Sequence, residues 1–132
     1  MKIEYDKYQP TRGHLVDAGI DLRAQEDAVI PAKGNYIFDT GVKADINAGF
    51  FGKLESKSGL NVNHDIVCLG GTIDSGYTGT IKAKLYNMGD QDYQVHAGDK
   101  IVQMIIIPCM WADVPIEDRF DRGAAGFGST GK

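Results

Sequence analysis

Thr80-Ile-Lys-Ala-Lys-Leu-Tyr-Asn87 decides the fold class. Ile81, Ala83 and Leu85 alternate with Lys82, Lys84 and Tyr86, and a period of two puts the apolar set on one face of a strand and the polar set on the other, wetted face. A second run, Lys100-Ile-Val-Gln-Met-Ile-Ile-Ile-Pro108, is apolar without alternating. It predicts a strand buried on both faces, in a sandwich core or at a subunit interface. Further β-type runs cover residues 36–40, 50–54 and 92–95. Between them stand the turn candidates Pro31-Ala-Lys-Gly34, Asn47-Ala-Gly49, Asp74-Ser-Gly76, Asn87-Met-Gly89 and His96-Ala-Gly98. No window carries a helical stripe, although residues 58–64 leave room for one short turn. Short strands at regular spacing with turn signals between them predict an all-β sandwich or barrel.

The rest of the composition narrows the class. The chain has 132 residues, the length of one ordinary domain, with 42% hydrophobic and 24% charged side chains, which is globular rather than disordered. Gly is enriched, at 17 residues, with no Gly-X-Y period, so collagen is excluded. A net charge of −4 gives no overall attraction to nucleic-acid polymers or anionic membranes, so any phosphate must be met by a local site. Cys68 and Cys109 lie within apolar runs and read as small core residues of a reducing compartment. His14, His64 and His96 lack metal-ligand spacing. The polar N-terminus has no apolar signal core, and the apolar run at residues 101–111 is too short to cross a bilayer. A soluble, cytoplasmic protein is expected.

Several segments could carry chemistry. Arg122-Gly-Ala-Ala-Gly-Phe-Gly-Ser-Thr-Gly-Lys132 has one large apolar side chain, Phe127, and cannot fold alone. We expect it to be mobile unless a ligand holds it. Its backbone N–H groups, with Arg122, Ser129 and Thr130, suit phosphate, and Phe127 suits stacking on a flat ring. Composition alone also allows a plain linker end. The match of residues 126–132 to G-x-x-x-x-G-K is not a P-loop, because the required Ser or Thr and the following helix are missing.

Gly70-Gly-Thr-Ile-Asp-Ser-Gly-Tyr-Thr-Gly79 offers Asp74 as a general base and Tyr77 as a sugar-packing ring, or else a turn in which Asp74 caps the backbone. Glu55-Ser-Lys-Ser-Gly-Leu60 sets a cation and hydroxyls at a strand end. Asp17-Ala-Gly-Ile-Asp-Leu22 places two carboxylates four residues apart, which fits a turn and a solvated edge as well as a site. Gln103 stands inside an apolar strand and needs partners there, as a core hydrogen-bond post or a ligand contact.

Taken together and in order, Asp17-Ala-Gly-Ile-Asp-Leu22, Ser56-Lys-Ser-Gly-Leu60, Gly71-Thr-Ile-Asp-Ser-Gly-Tyr-Thr-Gly79, Gly98-Asp-Lys-Ile-Val-Gln103 and Arg122-Gly-Ala-Ala-Gly-Phe-Gly-Ser-Thr-Gly131 closely resemble the five motifs of the trimeric dUTPase family. The third and fifth are the most specific. The resemblance implies a jelly-roll-like β-sandwich or distorted barrel over residues 1–120, with a mobile Gly-rich arm at 121–132. It implies a homotrimer whose active sites each draw on three chains. Motifs one, two and four come from one subunit, the third from another, and the arm from the third. It implies Mg²⁺-dependent hydrolysis of dUTP to dUMP and pyrophosphate.

Carried over residue by residue, Asp74 matches the carboxylate that activates the attacking water. Asp21 matches the one that holds hydrated Mg²⁺. Ser58, followed by Gly59, matches the hydroxyl near the bridging oxygen of the scissile bond, and Gln103 a phosphate-side contact. Tyr77 matches the ring that packs on deoxyribose and excludes a 2′-hydroxyl. The hairpin backbone around Gly71, Thr72, Ile73 and Lys82 matches the reader of uracil. Phe127 matches the ring stacked on uracil, and Arg122 with Gly128, Ser129 and Thr130 the phosphate clamp. Lys57 and Lys100 stand where the family usually has Arg, Ser56 where it has Pro, Gly76 where many members have Asp, and Ala125 where many have Gly. A point charge then replaces a bidentate phosphate contact at Lys57.

Two other readings share the fold. A dCTP deaminase would usually be longer and lack the Gly-Phe-Gly-Ser-Thr-Gly arm. A nucleotide-binding trimer that signals to a regulatory protein partner would keep the same motifs, with or without catalysis.

Overall fold

The computed structural model describes residues 1–118. Eleven strands and one short helix follow in chain order: β1 (Lys2–Tyr5), β2 (Gly19–Arg23), β3 (Ala28–Ile30), β4 (Asn35–Asp39), β5 (Val42–Asp45), β6 (Phe50–Ser56), α1 (Ser58–His64), β7 (Ile66–Cys68), β8 (Thr72–Ile73), β9 (Lys82–Asn87), β10 (Tyr93–Val95) and β11 (Lys100–Pro108). Every pairing is antiparallel. The sheets are β2-β11-β6-β8, β4-β9-β7, and the two-stranded β1-β5 and β10-β3. All contribute to one core, which holds Leu22, Ile30, Phe38, Val42, Leu54, Ile66, Leu85, Val95, Val102 and Met104. This is the all-β jelly-roll expected; among the described residues the strands form open sheets and no closed barrel.

The alternating run becomes β9, with Ala83, Leu85 and Asn87 buried while Lys82, Lys84 and Tyr86 stay half-exposed. Asn87 continues the inward set as a polar residue because its amide is fully used: Nδ2 donates to the carbonyls of Ile30 at 3.0 Å and Gln91 at 2.7 Å, and Oδ1 accepts from Gly89 N–H at 2.9 Å. That last bond makes the Asn87-Met-Gly89 turn.

β11 matches its predicted span but not the full two-sided burial. Ile101, Val102 and Met104 are buried, while Ile105, Ile106 and Ile107 remain half-exposed in the single chain. β11 pairs with β2 as far as Ile105 and with β6 as far as Pro108, so Ile106 and Ile107 have a strand on one side only. Residues 58–64 exceed the single turn expected and form the seven-residue α1, with no buried residue and a left-handed Asp65 (φ 57°) ending it.

Candidate functional site

β11 carries the central row of the site. Gln103 lies opposite Asp21 on β2 and opposite Glu55 on β6. Directly opposed residues of antiparallel strands share a face, so the three side chains form one line across the sheet. Gln103 Nε2 donates to the Ser56 carbonyl at 3.1 Å. A Cβ on Gly19 would lie 2.6 Å from Gln103 Oε1, so the glycine of the first motif makes room for this amide.

Asp21 is buried, with its side chain 6% exposed. Its backbone exchanges hydrogen bonds with Thr11, and its carboxylate faces two cations: Lys57 Nζ at 2.5 Å from Oδ1 and Lys100 Nζ at 3.6 Å from Oδ2. Lys57 is the residue between β6 and α1, and its carbonyl accepts the Asn61 N–H at 3.0 Å. Ser58 and Gly59 open α1 and are exposed, with free space above Gly59. Ser56, in place of the family's usual Pro, has a structural use: its Oγ accepts the Cys68 N–H at 2.9 Å and ties β6 to β7. The sequence reading did not place Lys100 in the site. Its signal was its position, three residues before Gln103 at the start of the same strand.

The Gly71–Tyr77 segment forms the second group. Gly71 has φ +96°, and a Cβ there would meet Leu54 Cβ at 2.9 Å, so no other residue fits. Thr72 is exposed and Ile73 buried. Asp74 is exposed at the start of the expected turn, where its carbonyl accepts the Tyr77 N–H at 3.1 Å. Tyr77 is only 9% exposed, belongs to the core, and donates its hydroxyl to the Thr80 carbonyl at 2.6 Å. The expected hairpin is not a two-strand ladder. β8 pairs with β6, whereas β9 pairs with β4 and β7, so residues 74–81 cross from one sheet to the other. Lys82 accordingly sits opposite Asp39, apart from the Asp21 cluster.

The two groups lie apart within one chain. Ile73 pairs with Gly52 and Val102 with Ser56, four residues along β6, or about 13 Å at strand rise. Arg122, Phe127, Gly128, Ser129 and Thr130, and the arm they belong to, fall outside the described residues.

Among the described residues, no group of three or more His, Cys, Asp or Glu side chains could hold a metal ion. Asp21 is a single buried carboxylate. That fits Mg²⁺, which keeps most of its waters and binds through one or two carboxylates plus substrate phosphates. No helix among the described residues is long and apolar enough to cross a membrane.

The dUTPase family profile matches residues 6–131. The chain belongs to the dUTPase family. It is 38% identical over 128 residues to the deoxyuridine 5'-triphosphate nucleotidohydrolase of Debaryomyces hansenii, covering 93% of this chain and 80% of that one. It is 39% identical over 125 residues to the enzyme of Paramecium bursaria Chlorella virus 1, covering 92% and 89%. Among solved structures, the dUTPase of Streptococcus mutans is 29% identical with a TM-score of 0.78, covering 86% of this chain and all of that one. The Staphylococcus bacteriophage 80alpha dUTPase, solved with dUPNHPP, is 26% identical with a TM-score of 0.76, covering 99% and 98%. A phage phi11 dUTPase variant of similar fold, TM-score 0.79 at 24% identity, coordinates a structural Mg(II) ion.

Proposed function

We propose that Asp74 and the Asp21–Lys57–Gln103 cluster are two parts of one dUTP site, contributed by different copies of a homotrimer. The reaction is hydrolysis of dUTP to dUMP and pyrophosphate, and the chain is a dUTP diphosphatase. It removes dUTP, which limits uracil incorporation into DNA, and supplies dUMP.

The register of β6 carries the shared-site reading. Asp74 follows Ile73 at the Gly52 end, and Lys57 follows Ser56 at the other end, too far apart for both to serve one phosphate within a chain. The surface supports assembly. Met110, Trp111, Val114 and Ile116 are 65–95% exposed beyond β11, continuous in sequence with the half-covered Ile105, Ile106 and Ile107. Such a contiguous apolar segment marks an interaction surface.

In this reading the Asp74 carboxylate takes a proton from a water whose oxygen attacks the α phosphorus. The bond from that phosphorus to the α–β bridging oxygen breaks, and pyrophosphate leaves. Ser58 donates to the bridging oxygen, and Lys57 and Gln103 hold the phosphates. Backbone groups of Gly71, Thr72 and Ile73 read uracil, because a wrong base leaves a buried polar group unpaired. Tyr77 closes the space beside the sugar. Arg122, Phe127, Gly128, Ser129 and Thr130 complete the clamp from the third copy. Asp21 would hold hydrated Mg²⁺, which would supply charge neutralisation for the triphosphate. The two free thiols, Cys68 and Cys109, agree with a reducing compartment such as the cytoplasm.

The test is pyrophosphate release from dUTP, dCTP, dTTP and UTP side by side with Mg²⁺. Strong preference for dUTP is expected. Equal cleavage of all four would overturn the reading, and ammonia from dCTP would indicate a deaminase.

A further inference from the structure

We propose that the Lys57 ammonium stands on Oδ1 of Asp21 in the place a hydrated divalent cation takes once a triphosphate is bound, so that lysine and metal alternate on one carboxylate. This rests on the reading of Asp21 as the carboxylate that faces the metal.

Both Asp21 oxygens face an ammonium, at 2.5 Å and 3.6 Å. Two positive charges meet one negative charge on a side chain with little open surface. A divalent cation arriving alone would face repulsion from both lysines at short range. Among the described residues, no group of three or more His, Cys, Asp or Glu side chains stands there to offset it.

The two lysines are not equivalent. Lys57 is nearer to Asp21 and its side chain is 27% exposed; Lys100 is farther and 43% exposed. The Lys57 backbone is fixed by the Asn61 N–H bond at the mouth of α1, beside the exposed Ser58, so its side chain can swing without moving the helix. A lysine is suited to such an exchange. Its compact charge rides on a flexible stem, whereas an arginine in the same place could fork both carboxylate oxygens and resist displacement. An arriving triphosphate draws the Lys57 ammonium toward its own oxygens and vacates Oδ1. Lys100 stays on Oδ2 and keeps the carboxylate turned toward the site. The metal therefore enters with the nucleotide, and the nucleotide-free protein holds it weakly.

The experiment is Mn²⁺ titration of the nucleotide-free full chain, followed by electron paramagnetic resonance, on wild type, Lys57→Met, Asp21→Asn and the double variant. Lys57→Met should bind Mn²⁺ at least tenfold tighter than wild type, and Asp21→Asn in the same chain should remove that gain. Equal or weaker binding in Lys57→Met, or a gain that survives Asp21→Asn, overturns the proposal. Lys57→Gln carries the same test if the methionine variant does not fold. A wild type that releases no pyrophosphate from dUTP would instead refute the function, and the metal titration distinguishes the two failures because it uses no substrate.

Discussion

Ile73 lies directly opposite Gly52 on β6, and a Cβ added to Gly52 would come within 3.3 Å of Ile73 Cβ and 2.8 Å of Met104 Sδ. The absence of a side chain at Gly52 lets β8 seat against the sheet. This fixes Asp74 at the end of β6 remote from Lys57.

That placement predicts complementation between inactive variants. Asp74→Asn and Lys57→Ala homotrimers should each be nearly inactive. Mixed trimers, made by co-expression or joint refolding, should regain on the order of a quarter of wild-type turnover for random mixing in a closed ring, since some sites receive both intact residues. Pyrophosphate release, with solution mass confirming the trimer, reads the result. Mixtures no more active than their components would place the site within one chain.

Asp74→Asn alone should lower kcat by about 10²- to 10⁴-fold, the usual worth of a general base, with dUTP affinity nearly unchanged because the shape is kept. Calorimetric binding beside the rate assay separates the two quantities. A variant with wild-type turnover would remove Asp74 from the chemistry.

Tyr77 holds its turn through the 2.6 Å bond to the Thr80 carbonyl. Tyr77→Phe should cost about 1 kcal/mol of stability through that lost bond, read by denaturant melts. Tyr77→Ala should also lower the kcat/KM preference for dUTP over UTP by about 10- to 200-fold, the range a hydrophobic pocket contributes. An unchanged preference would assign the ring to packing alone.

Burial pushes the Cys68 thiol above its ordinary value, with the Lys53 charge opposing in part. A raised folded-state pKa means the folded chain retains a proton that the unfolded chain has lost. Its stabilising contribution is therefore intact below the unfolded thiol value, about 8.5, and is lost as pH rises through the folded one. Wild type should lose stability over that alkaline window more steeply than Cys68→Ala in pH-dependent melts. In the native protein Cys68 should also react with a thiol reagent more slowly than the half-buried Cys109.

Much of the candidate site was legible because the proposed residues cluster in short ordered motifs whose types suggest the chemistry: Asp21, Lys57, Ser58, Asp74, Gln103. The inward Asn87 was not legible as a core residue, since only the carbonyls of Ile30 and Gln91 make its burial tolerable. The sheet crossing at residues 74–81 was not legible, because turn chemistry is local and says nothing of which strand a neighbour will pair with. Lys100 could not be assigned to Asp21 from spacing, because the two are 79 positions apart in the chain and only the β2–β11 register brings them together.

By itself, then, the sequence determined the β class, the turns and the family. Period-two burial, glycine conformations and motif residues are properties of neighbours along the chain. Tertiary structure alone decided that two lysines neutralise one buried carboxylate, and that Asp74 stands at the far end of a strand from them. Both follow from strand register, which depends on how distant segments satisfy one another's backbone hydrogen bonds and share a core.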